Sequence, residues 1–339
     1  MSDAALERVL IVGAGPIGLS CAISAARRGL DPLVIDAGAI AESIVRYPVG
    51  MTFFTTPERL EIGGHPLVCA GAKATREEAL KYYRGVVRAE RLRVRTGVRL
   101  VDATPAEGAV ACRVATRLGE ETVTAGRVVL ATGYFDHPNP LGVPGESLTH
   151  VSHYFDEAHR SWGLDVVVIG GKNSAVEAAL QLFRAGARVT LVYRGAALPG
   201  SVKYWLKPDF ENRVKAGEIA ARFGAQVSEI TERDVVLAGG ERIRADRVYA
   251  LTGFHPDFDL FRRIGIAFDE SSGRPALDGT TLETNVPGVH LAGSVTAGRK
   301  ISEIFIENGR FDGEKIFGDT EARASAEARY AKVNRPTGE

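Results

Sequence analysis

Short apolar runs that stop at glycine and lead into a stretch of helical periodicity occur twice along this chain. The first, Arg8–Val12, predicts a strand that enters Gly13-Ala14-Gly15-Pro16-Ile17-Gly18 and then a helix ending near Arg28, with Gly29 just past its end. A second strand over Pro32–Ile35 ends at Asp36, 23 residues after Gly13. The pattern returns with Val166–Ile169 as strand, Gly170-Gly171-Lys172-Asn173-Ser174-Ala175 as turn, and a helix to about Ala185 that Gly186 stops. A strand over Arg188–Val192 follows. Ser174 and Glu177 have capping-box spacing, which makes Glu177 a helix-end device. Two further strands pass into Thr-Gly: Arg127–Leu130 into Ala131-Thr132-Gly133, and "VYAL" into Thr252-Gly253. The stretch Leu282–Val295 ends an apolar strand in Ala292-Gly293-Ser294, ahead of a helix expected over Ser302–Phe317. The final "EARASAEARYAKVNRPTGE" predicts at most a helix and then a frayed end.

Strand, glycine turn and helix in this order form the entrance of a dinucleotide site. The first glycine permits a tight turn, the second lets a pyrophosphate approach the backbone, and the third lets helix pack on strand. The phosphates then lie at the helix N-terminus, where free N–H groups and the dipole favour anions. Asp36 falls where a carboxylate binds a ribose 2′-hydroxyl. In the second copy, 23 residues from Gly170 is Tyr193, followed by Arg194. A missing acid beside an arginine suits a 2′-phosphate and therefore NADPH over NADH, with Lys203 as a second phosphate partner. Lys172 stands where the second glycine is expected, so its side chain either points away from the pyrophosphate or neutralises it. The chain reads as α/β, with two Rossmann-like, three-layer nucleotide-binding domains. A discontinuous first domain covers 1–140 and 254–320, an inserted one 145–250, and a tail 321–339.

Composition narrows the function. With 42 basic and 42 acidic residues, no net field draws nucleic acid or an anionic membrane. No uninterrupted apolar run reaches the ~18 residues of a membrane span. The three cysteines, Cys21, Cys69 and Cys112, are far apart and form no CxxC, which points to a reducing, cytoplasmic setting. The seven histidines show no metal spacing. His153, or His150, is a candidate proton donor to a nicotinamide, and Cys21 a candidate thiol.

Over almost all of residues 5–320, the fingerprint, the Thr-Gly passages and "ETNVPGVHLAG" resemble the low-molecular-weight thioredoxin-reductase-like flavoproteins. "YPVGMTFFTTPERLEIGGHPLV", "HPNPLGVPGE", "VSHYFDEAH", "GGKNSAVEAAL", "SVKYWLKPDFENR" and "IFIENGRFDGE" resemble one branch, the bacilliredoxin reductase family, which itself carries the lysine found here as Lys172. The resemblance implies FAD in the first site and NADPH in the second. Hydride would pass from nicotinamide to flavin, and electrons then to bacillithiol disulfide or a bacilliredoxin mixed disulfide. It implies FAD contacts at Gly13, Gly15, Pro16, Ile17, Gly18, Asp36, Tyr47, Val98, Thr132, Gly133, Gly293 and Ser294. NADPH contacts are implied at Gly170, Gly171, Lys172, Asn173, Ser174, Arg194 and Lys203, in a homodimer or larger homo-oligomer.

Two departures stand out. Thioredoxin reductases carry a CxxC just before the second strand, where this chain reads "SHYFDEAH". Bacilliredoxin reductases have a cysteine just before the third glycine of the first fingerprint, where this chain has Ile17, with Cys21 one helical turn further on. The alternatives are therefore a ferredoxin– or flavodoxin–NADP reductase or another NADPH-to-acceptor flavin reductase, a flavin-monooxygenase-like oxygenase suggested by "GESLTHVSHY", and a non-catalytic nucleotide sensor.

Overall fold

The computed structural model describes residues 6–334. Along them run β1 (Leu10–Val12), α1 (Pro16–Ala26), β2 (Leu33–Asp36), β3 (Val128–Leu130), β4 (Asp165–Ile169), α2 (Asn173–Arg184), β5 (Arg188–Tyr193), β6 (Val289–Leu291), α3 (Ile306–Gly309), α4 (Asp312–Phe317) and α5 (Thr320–Asn334). Other elements are named by their residues.

The described chain divides into two compact units. Unit 1 takes the residues up to Val45, Gly50–His137, and the chain from Phe254 onward; unit 2 takes Arg46–Val49 and Pro138–Gly253. These differ from the expected segments in three places, the first being Pro138, Asn139 and Pro140, which group with unit 2. Arg46–Val49 groups with unit 2, where the Val49 N–H donates to the Asp156 carbonyl at 2.9 Å. The tail helix is part of unit 1: the Lys315 ammonium lies 2.6 Å from the Glu327 carboxylate, and Arg323 donates to the Lys315 carbonyl at 3.0 Å. The terminal Pro336-Thr337-Gly338 lies outside the described residues.

In unit 1, a parallel sheet runs in the order β6, β3, β1, β2, Arg93–Thr96, with Leu10 in register with Leu33 on one side and Val128 on the other. The central strands are apolar throughout because both faces are covered. Leu10 and Val12 point to a core shared with Val110 and Val114 of the antiparallel sheet Arg99–Ala106, Ala109–Thr116, Gly119–Ala125, while α1 packs along β1 and β2. Unit 2 repeats the plan with a parallel sheet ordered Ala220–Phe223, β5, β4, Arg247–Ala250, Val151–Ser152. Here the two-residue period of β4 is explicit: Val166 and Val168 pack with Val176 and Leu180 of α2, whereas Val167 and Ile169 pack with Val235 and Leu237 of an antiparallel sheet. Each unit is thus a helix layer, a parallel sheet and an antiparallel sheet.

Two local expectations are corrected. The helix expected over Ser302–Phe317 is broken into the short 3-10 turn Ile301–Glu303, α3 and α4. A Cβ on Gly309 would lie 3.0 Å from Ile17, and one on Gly313 would lie 2.8 Å from the Cys21 Cα, so these pieces lie directly on α1. Arg310 holds the bend between them by donating to the carbonyls of Glu58 and Glu61, both at 2.7 Å. The Ser174–Glu177 capping box does not form. The N-cap of α2 is Lys172, without a side-chain cap, which places Ser174 inside the first turn. Glu177 instead is half-buried beside Gln181, its carboxyl pushed up by burial.

Candidate nucleotide-binding sites

The first glycine turn lies between β1 and α1 in unit 1, and its three glycines do different things. Gly13 has φ +112°, and a Cβ there would lie 2.3 Å from the Ala131 carbonyl oxygen. A Cβ on Gly18 would lie 1.8 Å from the Gly13 oxygen, so helix and strand meet there with no room for a methyl group. Gly15 is the N-cap of α1, with an ordinary φ of −73°, and nothing lies within 4 Å of where its Cβ would be. Its missing side chain leaves open space at a helix N-terminus that has no side-chain cap and no acid in its first turn. At the end of β3, the buried Thr132 hydroxyl has no hydrogen-bond partner among the described residues. Open approach, uncapped N–H groups and an orphaned hydroxyl fit a dinucleotide pyrophosphate.

Asp36, at the end of β2, ties this turn together. Its Oδ2 accepts the Ala14 N–H at 2.7 Å and its Oδ1 the Gly38 N–H at 2.8 Å. Burial raises its pKa above the usual carboxylate value, against the lowering effect of those two N–H groups. Buried Val98 donates its N–H to the Asp36 carbonyl at 2.8 Å, and Gly133 follows Thr132 with φ +69°. After β6 the chain turns at Gly293, with φ +77°. Both peptide groups of Gly293 are taken: its N–H donates to Asp312 at 2.7 Å, and its carbonyl accepts the Thr296 hydroxyl at 2.8 Å. Ser294, the next residue, is half-buried. Tyr47 belongs to the segment that groups with unit 2.

The second turn, in unit 2, has the same logic with different side chains. A Cβ on Gly170, at φ +142°, would lie 2.5 Å from the Leu251 oxygen. Lys172 occupies the position equivalent to Gly15, with φ −98° and ψ −174°. That extended backbone suits any L-residue, so the lysine causes no strain, and its side chain is exposed. Gly171 is required for another reason: the Tyr193 ring lies over it, 2.4 Å from where a Cβ would stand, and also covers Gly195. Arg194 is exposed at the end of β5. The Asn173 side chain does not point its amide to a ligand. Its Oδ1 accepts the Lys203 N–H at 2.8 Å and its Nδ2 donates to the Ser201 carbonyl at 3.4 Å, clamping the 201–203 loop to the start of α2.

A family model described as pyridine nucleotide-disulphide oxidoreductase matches residues 10–293. The chain belongs to that family. It is 45% identical over 314 residues to a bacilliredoxin reductase of Bacillus subtilis, spanning 91% of this chain and 96% of the relative. Among solved structures, a bacillithiol disulfide reductase from Bacillus cereus superposes with a TM-score of 0.90 at 43% identity, over 97% of this chain and all of the other. The Staphylococcus aureus counterpart gives 0.86 at 38%, over 96% and 98%. The fold is thioredoxin-reductase-like, and the chain is an FAD-dependent oxidoreductase that uses NAD(P)H. No helix among the described residues is long and apolar enough to cross a membrane.

For a pyridine nucleotide-disulphide oxidoreductase, the surroundings of position 17 matter. Ile17 lies against Gly293 and Gly309, each of which would bring a Cβ within 3.1 Å of it. Cys21 is corrected as a candidate thiol: it is fully buried between α1 and α4, and burial, reinforced by Asp312 and Glu314, pushes its pKa well above the ordinary value. A thiol held protonated and out of reach of solvent is no nucleophile. His153, the expected proton donor, lies in unit 2. Its Nδ1 faces the Ala250 carbonyl at 3.1 Å and its Nε2 the Glu146 carboxylate at 3.2 Å, so both ring nitrogens are engaged within unit 2. Sequence reasoning missed the Asn173 clamp, the Tyr193 cover and Asp312. Nothing in their spacing marks them, because each acts across the fold.

Proposed function

We propose that this protein is an NADPH-dependent flavoprotein reductase of a disulfide, either bacillithiol disulfide or the mixed disulfide of a small redox protein of the bacilliredoxin kind. The observation that carries the reading is the 45% identity to a bacilliredoxin reductase over nearly the whole of both chains. The net reaction is NADPH, a proton and a disulfide giving NADP⁺ and two thiols. The flavin, when bound, supplies a two-electron relay between nicotinamide and sulfur.

The chain's own residues then divide the work. Unit 1 would hold FAD, with the pyrophosphate over Gly15 and the first turn of α1, Asp36 at the adenosine ribose, and Thr132 and Ser294 along the rest of the molecule. Unit 2 would hold NADPH, with the pyrophosphate at the start of α2, Lys172 beside it, and Arg194 with Lys203 on the 2′-phosphate. The three cysteines are all free, which supports a reducing cytoplasmic setting. A homodimer or larger homo-oligomer belongs to the same reading, and light scattering measures it.

The test is anaerobic. FAD-loaded protein is reduced with NADPH and mixed with bacillithiol disulfide in a stopped-flow instrument, following flavin absorbance near ~450 nm. Reoxidation on the timescale of turnover is expected. Reduction by NADPH without reoxidation by the disulfide would overturn the reading. The isoleucine at position 17 and the buried Cys21 favour one rival, a ferredoxin– or flavodoxin–NADP reductase. In that case, the same reduced protein would be reoxidised by ferredoxin or flavodoxin and not by the disulfide.

A further inference from the structure

Asp312 is the first residue of α4 and is 5% exposed. Its carboxylate accepts the Gly293 N–H at 2.7 Å. The cation that acts on it, Lys315, is itself paired with Glu327 at 2.6 Å, and among the described residues no salt bridge neutralises Asp312. Burial therefore raises its pKa to about 6, with the Gly293 N–H and Lys315 opposing and Glu327 adding. A buried, uncompensated carboxylate opposes folding, and such groups gather where structure is held for function. What this one holds is specific. Gly293 has φ +77°, its Cα faces Ile17 of α1, and its carbonyl is closed by Thr296, so Asp312 is the fourth constraint on the turn that presents Ser294.

We propose that Asp312 is a positioning residue for the flavin: by holding the Gly293 N–H, its carboxylate sets the Gly293–Ser294 turn against which the flavin half of FAD is bound. This rests on the assignment of FAD to unit 1. The charged form is the better acceptor, because a hydrogen bond to an ionised group is roughly twice as strong as a neutral one. FAD binding consequently weakens as Asp312 is protonated. The charged groups that act on Asp312 are Lys315 from α4 and Glu327 from α5, and Asp312 in turn acts, together with Glu314 of α4, on Cys21 of α1. Asp36 lies in the same unit and also has a raised pKa. The comparison is therefore between parent and Asp312→Asn, in which Asp36 is unchanged.

The experiment titrates apo-protein with FAD, by quenching of flavin fluorescence, from pH 5 to pH 7.5, in the parent, Asp312→Asn and Asp312→Ala. At pH 7.5, Asp312→Asn should bind FAD about fivefold more weakly than the parent. Asp312→Ala, which leaves the Gly293 N–H unpaired, should lose more than about tenfold. The parent's affinity should fall about fivefold from pH 7.5 to pH 5, and the Asn variant should lack that slope. The shape of the bound flavin's visible band should change in both variants. Equal affinities, equal pH slopes and an unchanged band in parent and Asn variant would overturn the proposal. If Asp312→Asn fails to melt cooperatively, the parent alone decides: an affinity flat from pH 5 to 7.5 overturns it. A parent that binds no FAD overturns the cofactor assignment and this inference with it, whereas binding without a role for Asp312 sinks the inference alone.

Discussion

The Asp36 carboxylate accepts the Ala14 N–H at 2.7 Å, so the end of β2 holds the glycine turn that joins β1 to α1. The residue expected to meet a ribose therefore also shapes the phosphate turn beside it. Asp36→Ala removes the acceptors of two backbone N–H groups, and FAD affinity should fall by more than tenfold, on the order of 1.5–3 kcal/mol. Asp36→Asn keeps one acceptor and should fall in between. Fluorescence titration of apo-protein with FAD ranks the three, and an Ala variant equal to the parent would contradict the assignment.

The glycines at 15 and 18 make opposite demands. Gly15→Ala meets nothing within 4 Å and has an ordinary φ, so the apo-variant should melt close to the parent while losing FAD. Gly18→Ala drives a methyl group to 1.8 Å from the Gly13 oxygen and should destabilise the apo-protein by several kcal/mol, about 3 or more. Thermal melts of both apo-variants, set beside their flavin content, separate a ligand-facing glycine from a packing one. Matching Tm losses would defeat the distinction.

Under the proposed assignment, Arg194 and Lys203 would serve only a 2′-phosphate, unlike the other residues proposed for NADPH in unit 2. Arg194→Ala should lower kcat/KM for NADPH about 10- to 100-fold and leave that for NADH nearly unchanged, with Lys203→Ala following in milder form. Steady-state kinetics with the two nucleotides measures it. Equal losses on both would assign these residues to something other than the phosphate.

The thiols provide a check that needs no cofactor. Cys21 and Cys112 are 0% exposed and burial raises both, Cys112 to about 12, whereas Cys69 is partly exposed. Native protein should react with an aromatic disulfide reagent at one cysteine, and at all three once unfolded. Cys21→Ala should retain acceptor turnover within about twofold and lose about 1 kcal/mol of stability. A large loss of turnover at full flavin content would restore Cys21 to the electron path.

Asp312 predicts an opposite sign for stability and for binding. Its folded pKa, about 6, lies above the ordinary 3.8, so its contribution favours folding below about pH 4 and is lost as pH rises through 6. Above pH 6 the buried charge opposes folding, by a term on the order of 1–3 kcal/mol. Apo Asp312→Asn should therefore melt higher than the apo parent at pH 7.5, and the gap should close toward pH 5. Calorimetry across that range checks it. A variant that melts lower at pH 7.5 would show that the carboxylate stabilises the fold instead.

Much of this protein is local in its sequence and so legible there. Val9–Val12 and Val166–Ile169 are apolar on consecutive positions because both faces of their strands are covered, and a glycine turn before a helix is a pattern confined to a few residues. Two nucleotide entrances, their order and the family resemblance follow from such runs. What escaped is what depends on residues far apart. The expected helix over Ser302–Phe317 breaks because Gly309 and Gly313 lie on Ile17 and Cys21, almost three hundred residues away. The capping box fails because α2 begins two residues too early to use it, and Asn173 turns instead to a loop thirty residues on. Cys21 looked displaced by only one helical turn, yet that turn carries it under α4 and out of solvent. Periodicity and turn chemistry decide which elements form; only packing decides which side chains stay free to meet a ligand, because burial and hydrogen-bond partners come from whatever the tertiary fold brings alongside.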